Sequence, residues 1–298
     1  MAILMGDVVD RVFRDHLYAA DDQPVRVRLA GAVDAAVPDW TLDLTLIPVD
    51  VVAAIAPGVL IEADREQALI LAVADDVVTV ARGVNGTDPA AHADGALVNI
   101  APAFGRQQVF DAVADNVVAL YPTLWAVKTE AVTVAHPYTE VPADTLNIVA
   151  FRAIYSVSHA FEAPARLITA FPDSSTGKAA VIDATAGQAG TIVYRGSFDR
   201  PTTDADDLEL AGVRPGWERI VRVGAAAQLL FGRDTEPITQ EVVTEQMQAE
   251  SLPITTHGRI AARLLEYRDL LLKEAADALK LEDRKRVVRM PNRRSALR

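Results

Sequence analysis

Histidine, cysteine, serine and clustered carboxylates are the side chains from which most active sites are built, so they are read first. The chain has five histidines: His16, His92, His136, His159 and His257. None pairs with another histidine or a carboxylate at the spacing that holds a metal on a helix. The reading is scattered surface or core histidines, with no metal site and no cofactor. Cysteine is absent, which removes disulfides, thiol nucleophiles and thiolate zinc sites. Ser174-Ser175-Thr176-Gly177-Lys178 has the outline of a phosphate loop. That loop needs a glycine five residues before Gly177 and a hydroxyl after the lysine. Pro172 and Ala179 stand there instead, and the stretch reads as a β-turn. No G-x-S-x-G elbow occurs. Asp204, Asp206 and Asp207 lack the glycine and distal glutamate of a calcium loop, and read as a solvated acidic loop. No catalytic residue is predicted, and the expectation is a protein that is not an enzyme.

Two stretches remain distinctive. The first is Arg82-Gly83-Val84-Asn85-Gly86-Thr87, followed by His92 and Gly95. Asn85-Gly86 is a tight-turn pair, since both residues tolerate positive φ. Thr87, Asp88 and Pro89 then form a polar loop. His92 is expected to satisfy backbone groups of that loop, with a ligand site as the sharper alternative. The second is the C-terminal arm, residues 284–298, with Arg284, Lys285, Arg286, Arg289, Arg293, Arg294, Arg298 and no acid. It reads either as a solvated terminus, or as an arm that docks in an acidic groove, lies along phosphates or pairs with a neighbouring copy.

The elements that must position these residues follow from periodicity. The 298 residues are 50% apolar and carry a net charge of −12. A general nucleic-acid coat is therefore unexpected. No apolar run approaches the ~18 residues of a membrane span. Val109, Phe110, Val113, Val117, Leu120, Tyr121 and Leu124 recur at helical spacing in the stretch from Phe104 to Trp125. Similar patterns occupy Met5 to Tyr18, Trp217 to Phe231 and His257 to Lys280. Between them lie alternating strands and turns. Val25 to Leu29, Trp40 to Leu44, Val59 to Ala63, Ala68 to Ala74, Val77 to Arg82 and Ala96 to Ile100 suggest a small barrel or sandwich. Asn147 to Tyr155, Ala165 to Phe171, Ala179 to Ala184 and Thr191 to Phe198 suggest a second, sandwich-type module.

The fold class expected is α+β: a helical core with two inserted antiparallel β modules and a basic C-terminal arm. A wide apolar helix face asks for more than a single strand-rich neighbour. The core would come from residues 1–22, 104–125 and 214–283. The β modules would be 25–103 and 128–212, and the arm 284–298.

The string VTVARGVNGTDPAAHADGALV, Val78 to Val98, is similar to a segment that recurs in structural proteins of tailed bacteriophages. FGRQQVFDAVADNVVALYPTLWAV resembles a helix of phage neck proteins, with Tyr138-Thr139-Glu140-Val141-Pro142-Ala143-Asp144 as the strand entry that follows it. With its terminal helices, the chain resembles a head-to-tail adaptor of a siphovirus with an actinobacterial host. The resemblance implies a helical core and a ring, usually of twelve copies, made in the host cytoplasm and set in the virion neck beneath the portal protein. Such a ring extends the channel through which genomic double-stranded DNA passes without sequence specificity. It implies a C-terminal segment against the portal and a stopper or tail protein on the other side. The chain departs from the small adaptors by carrying two β modules. That leaves open a tail-tip or baseplate protein binding a host glycan through residues 128–212, near Trp125 or Tyr194. A tail-associated hydrolase would need a carboxylate pair or metal cluster.

Overall fold

The computed structural model describes residues 2–17, 25–45, 47–48, 52–156, 159–169, 174–244 and 256–288. They fall into two compact units. One holds the described residues within 6–113 and 225–262; the other holds those within 1–5, 114–224 and 263–298.

The first unit is built on a closed antiparallel barrel. Its strands are β1 (Val25–Leu29), β2 (Asp39–Asp43), β3 (Leu60–Ala63), β4 (Glu66–Ala74), β5 (Val77–Ala81) and β6 (Leu97–Ile100), in the order β1-β2-β5-β4-β3-β6. Val25 pairs with Ile100 and Arg28 with Leu97, which closes the ring of strands. The interior is apolar: Val27, Leu29, Trp40, Leu42, Ile61, Ile70, Val78, Val80, Val98 and Ile100 fill it. Two-residue connections turn β3 into β4 and β4 into β5. Asp64 and Asp75 head those turns at φ of 52° and 56°, a region where Asp is enriched over most residues.

The second unit is a sandwich. One sheet runs β10-β9-β13-β7 and the other β11-β12-β8. The strands are β7 (Ala126–Thr133), β8 (Thr139–Glu140), β9 (Asn147–Ser156), β10 (His159–Ala163), β11 (Ala165–Thr169), β12 (Lys178–Ile182) and β13 (Ala189–Gly196). Ile148, Phe151, Ala153, Ile192 and Tyr194 from one sheet meet Ala180 and Ile182 from the other across a shared core. Gly190 leaves the space that the Phe151 ring takes, since a Cβ there would collide with it.

The helices are α1 (Met5–Val12), continued by a π-helical turn Phe13–Leu17, α2 (Arg106–Val118), α3 (Glu218–Thr244) and α4 (Thr256–Val288). They do not form the expected helical core. Among the described residues the extensive contacts between elements are all made by strands. The body is therefore mostly β, and the adaptor-like helix bundle is corrected. The apolar face of the central helix is buried as expected, but helices alone do not bury it. Val109, Phe110, Val113 and Val117 are buried, but the start of α2 belongs to the barrel. The Glu62 carboxylate on β3 accepts from the Arg106 N–H at 2.6 Å, capping the helix as an N-terminal acid does. Arg65 lays its guanidinium over the Phe110 ring at 3.9 Å. Arg106 pairs in turn with Asp10 of α1. Gly105 lets this happen: a Cβ there would collide with Gln67. In the second unit α2, α3 and α4 approach one another at Gly224, whose missing side chain makes room for Asn116 and Arg268.

Candidate functional site

The Arg82–Gly95 string builds the densest polar cluster of the barrel. Glu66, the first residue of β4, is fully buried at its side chain, as is His92, while Arg82 is 7% exposed. Arg82 holds Glu66 through two bonds, Nε to Oε1 at 2.8 Å and Nη2 to Oε2 at 2.5 Å, the forked geometry that makes such pairs strong. Its remaining donors reach the carbonyls of Asp34, Val37 and Ala90. Glu66 also accepts from the Ala90 N–H at 2.8 Å.

His92 lies between two carboxylates. Nε2 is 2.9 Å from Glu66 Oε2, and Nδ1 is 2.8 Å from Asp64 Oδ2. Only the imidazolium can donate from both nitrogens. The Asp64 hydrogen bond, joined by Glu66 and both negative charges, raises the His92 pKa against burial. Burial pushes Glu66 up, but Arg82, the Ala90 N–H and His92 outweigh it and hold the carboxyl below its ordinary value. The His92 hydrogen bond likewise lowers Asp64. The four charges sum to neutrality, and each buried group has a partner. Trp40 closes the cluster from the barrel interior, edge-on to His92 at 5.3 Å.

This corrects the expected role of His92. Its ring bridges carboxylates, while its backbone exchanges bonds with Val33 at 2.8 and 2.9 Å. The glycines and Asn85 shape the same loop. Gly83 and Asn85 sit at φ of 64° and 55°. A Cβ at Gly83 would come within 2.9 Å of Pro89 Cδ and the Thr87 carbonyl. Thr87 Oγ1 donates to Val84 O at 2.9 Å and accepts from the Gln67 N–H at 3.0 Å. Asn85 donates to Gln67 Oε1 at 2.8 Å. The string is a latch between the β3–β4 hairpin and the loop that leads into β6. Sequence reasoning missed its acidic half, Glu62, Asp64 and Glu66. The available signal was two glutamates inside an otherwise apolar strand pair.

The other candidates separate. In the Ser174–Lys178 turn, Ser174 Oγ, Ser175 Oγ and the Thr176 N–H all donate to Glu140 Oε1, at 3.0, 2.5 and 3.0 Å. The Ser175 bond leads these in holding Glu140 below the ordinary carboxylate range. A carboxylate of the chain itself thus occupies these donors. Asp206 is drawn down to about 2, first by the Thr203 hydroxyl and then by the Thr202 and Thr203 N–H groups, as the acceptor of a local turn. Tyr194 is buried in the sandwich core, and Trp125 lies under the Arg195 guanidinium at 4.7 Å. Tyr194 is therefore closed to a ligand, and one face of Trp125 is taken by Arg195. Among the described residues no group of three or more His, Asp or Glu is arranged to hold a metal ion, and no helix is long and apolar enough to cross a membrane.

Of the basic arm, Arg284, Lys285 and Arg286 lie on the last turns of α4, which runs to Val288. Arg289, Arg293, Arg294 and Arg298 lie outside the described residues. The chain matches no protein-family model and no curated protein.

Proposed function

We propose that this chain is a non-catalytic structural protein of a tailed-phage virion, acting at the head–tail junction as an adaptor ring beneath the portal. The observation that carries the reading is α4, a 33-residue helix whose last turns bring Arg284, Lys285 and Arg286 into a basic C-terminal arm. The rest of the chain is strongly acidic: the arm holds seven of the 29 basic residues and none of the 41 acidic ones. Such an arm reaches an acidic partner surface through several charge-assisted contacts per copy, and copies arranged in a ring repeat those contacts around it. The acidic body suits a DNA conduit, because like charge keeps the duplex off the wall. The cluster of buried charges in the barrel supports the same reading, since its groups satisfy one another. The reading does not need a helical core.

The test is the mass and symmetry of the purified protein, alone and mixed with portal rings, by native mass spectrometry and negative-stain imaging. Rings that stack on the portal, and lose that contact when residues 284–298 are removed, are the expected result. A truncated chain that docks as well as the full one removes the arm's role.

The β-rich body favours a second reading, a tail-tip or baseplate component. A monomer or trimer indifferent to the portal moves the assignment there. The glycan-binding form of that reading loses Tyr194 to the core and one face of Trp125 to Arg195.

A further inference from the structure

We propose that the end of the basic arm, residues 289–298, lies as an added strand along the open edge of β7 in its own chain. The inference goes beyond the head–tail reading and does not rest on it: it gives the arm a resting place before any partner is met.

Among the described residues β7 pairs with β13 alone, over Ala126–Thr133. Its other edge therefore offers a row of backbone donors and acceptors. Such edges are usually blunted by proline, by a bulge or by an outstanding lysine. β7 has no proline, and its pairing with β13 runs without a shift of register. Its one lysine is turned back onto the chain: Lys128 Nζ donates to Asp144 Oδ2 at 3.3 Å and to Asp199 Oδ1 at 2.8 Å. Glu130, two residues on and so on the same face, is exposed. Three carboxylates against one ammonium leave that side of the edge with two net negative charges. The opposite side carries Val127, 52% exposed, with exposed Thr129 and Ala131.

The arm is the complement of this edge. After Pro291 it reads Arg293-Arg294-Ser295-Ala296-Leu297-Arg298, with no acid. As a strand this stretch sets Arg294 and Arg298 on one face and Ser295 and Leu297 on the other. The arginines meet the carboxylates in charge-assisted bonds, and Leu297 meets the Val127 side. Backbone bonds supply the rest, as in strand addition generally. The arm also starts close by. Glu282 of α4 accepts from Arg214 at 2.8 Å. Gly212, two residues before Arg214, packs on Ala126 at the head of β7, where an added Cβ would stand 2.5 Å from that of Ala126. From Glu282 the helix runs on to Val288, about 9 Å further. The ten residues beyond it span up to about 33 Å when extended. Tethered in this way, the arm meets its own edge at a high effective concentration, ahead of any free partner.

Hydrogen exchange of the full-length protein and of a chain ending at Val288 tests this. Amides of residues 127–133 are expected to exchange about tenfold or more slowly in the full-length protein, at every protein concentration. Residues 147–153 and 256–282 are expected to exchange alike in both, which shows that truncation leaves the sandwich and α4 folded. In the full-length protein Glu130→Lys, a change at an exposed position, is expected to speed exchange of β7, and so is molar salt. Equal exchange of 127–133 in the two chains overturns the proposal. So does protection that appears only as concentration rises, together with a dimer mass, since the arm then lies on a second copy. Portal docking that is lost on truncation while β7 exchanges unchanged overturns the resting place and leaves the head–tail reading standing. A β7 that is opened by truncation while docking is unchanged does the reverse for the arm.

Discussion

The barrel buries Glu62, Glu66, Gln67, Thr87 and His92, whereas the sandwich core is Phe151, Ile192, Ile148, Ala153 and their apolar neighbours, with Thr139 and Thr145 as the buried polar residues nearby. Both are small antiparallel β structures with an apolar interior. They differ in the burial of the polar groups that fix their loops. The sandwich core is held by packing across two sheets, and its loop carboxylate Glu140 gathers the Ser174, Ser175 and Thr176 donors at the exposed surface. The barrel adds a charged network whose members are useful only together. Such a network specifies one loop geometry and fails abruptly when a member is lost.

The largest effect is expected from Arg82→Met. It leaves the Glu66 carboxylate buried beside His92 without its forked partner, a change that costs about 3–5 kcal/mol when a buried pair is broken. Chemical denaturation followed by hydrogen exchange should place the loss in Val25–Ile100 and leave Ala126–Gly196 protected. Equal loss in both regions would erase the distinction drawn between them. Gly83→Ala comes next. A left-handed backbone and a Cβ at 2.9 Å from two neighbours predict a loss of about 1–3 kcal/mol, again confined to the barrel. In the sandwich, Ile192→Val removes one methylene from a fully buried side chain and should cost only about 0.5–1.5 kcal/mol. A larger loss there than in Gly83→Ala would reverse the ranking.

The smallest and most specific signal is in pH. The folded state raises the His92 pKa above the ordinary 6.5, so its contribution is complete below that pH and fades as pH rises through the folded value. Asp64 and Glu66 are lowered from 3.8 and 4.5, so theirs is complete above those values and fades in acid. The barrel should be most resistant to urea between about pH 4.5 and 6.5. His92→Gln should flatten the decline on the alkaline side. A decline that persists in His92→Gln would assign it to another group.

The two regions also differ in how far the sequence discloses them. Val25-Arg26-Val27-Arg28-Leu29 alternates, and it is a strand with Val27 and Leu29 inward. Trp40 and Leu42 behave likewise. The latch could not be read so, because its halves lie apart: His92 meets Asp64 and Glu66 across a hairpin and a loop, and ion pairs have no period. In the sandwich, β10 is not legible because His159–Ala163 shows no alternation, and β7 is not because it follows directly on the turns after α2. The helices show the limit of amphipathic patterns most clearly. Phe110 and Val113 announce burial, but the identity of the partner, a strand hairpin carrying Glu62 and Arg65, is written elsewhere in the chain.

The acceptors and donors engaged by the Arg82–Gly95 string, namely the carbonyls of Asp34 and Val37, the carboxylates of Asp64 and Glu66, and Gln67, all belong to the barrel segment itself. The string therefore has a grammatical rather than a lexical meaning. These bonds all close within the barrel segment, so the string speaks for a fold before it speaks for a task.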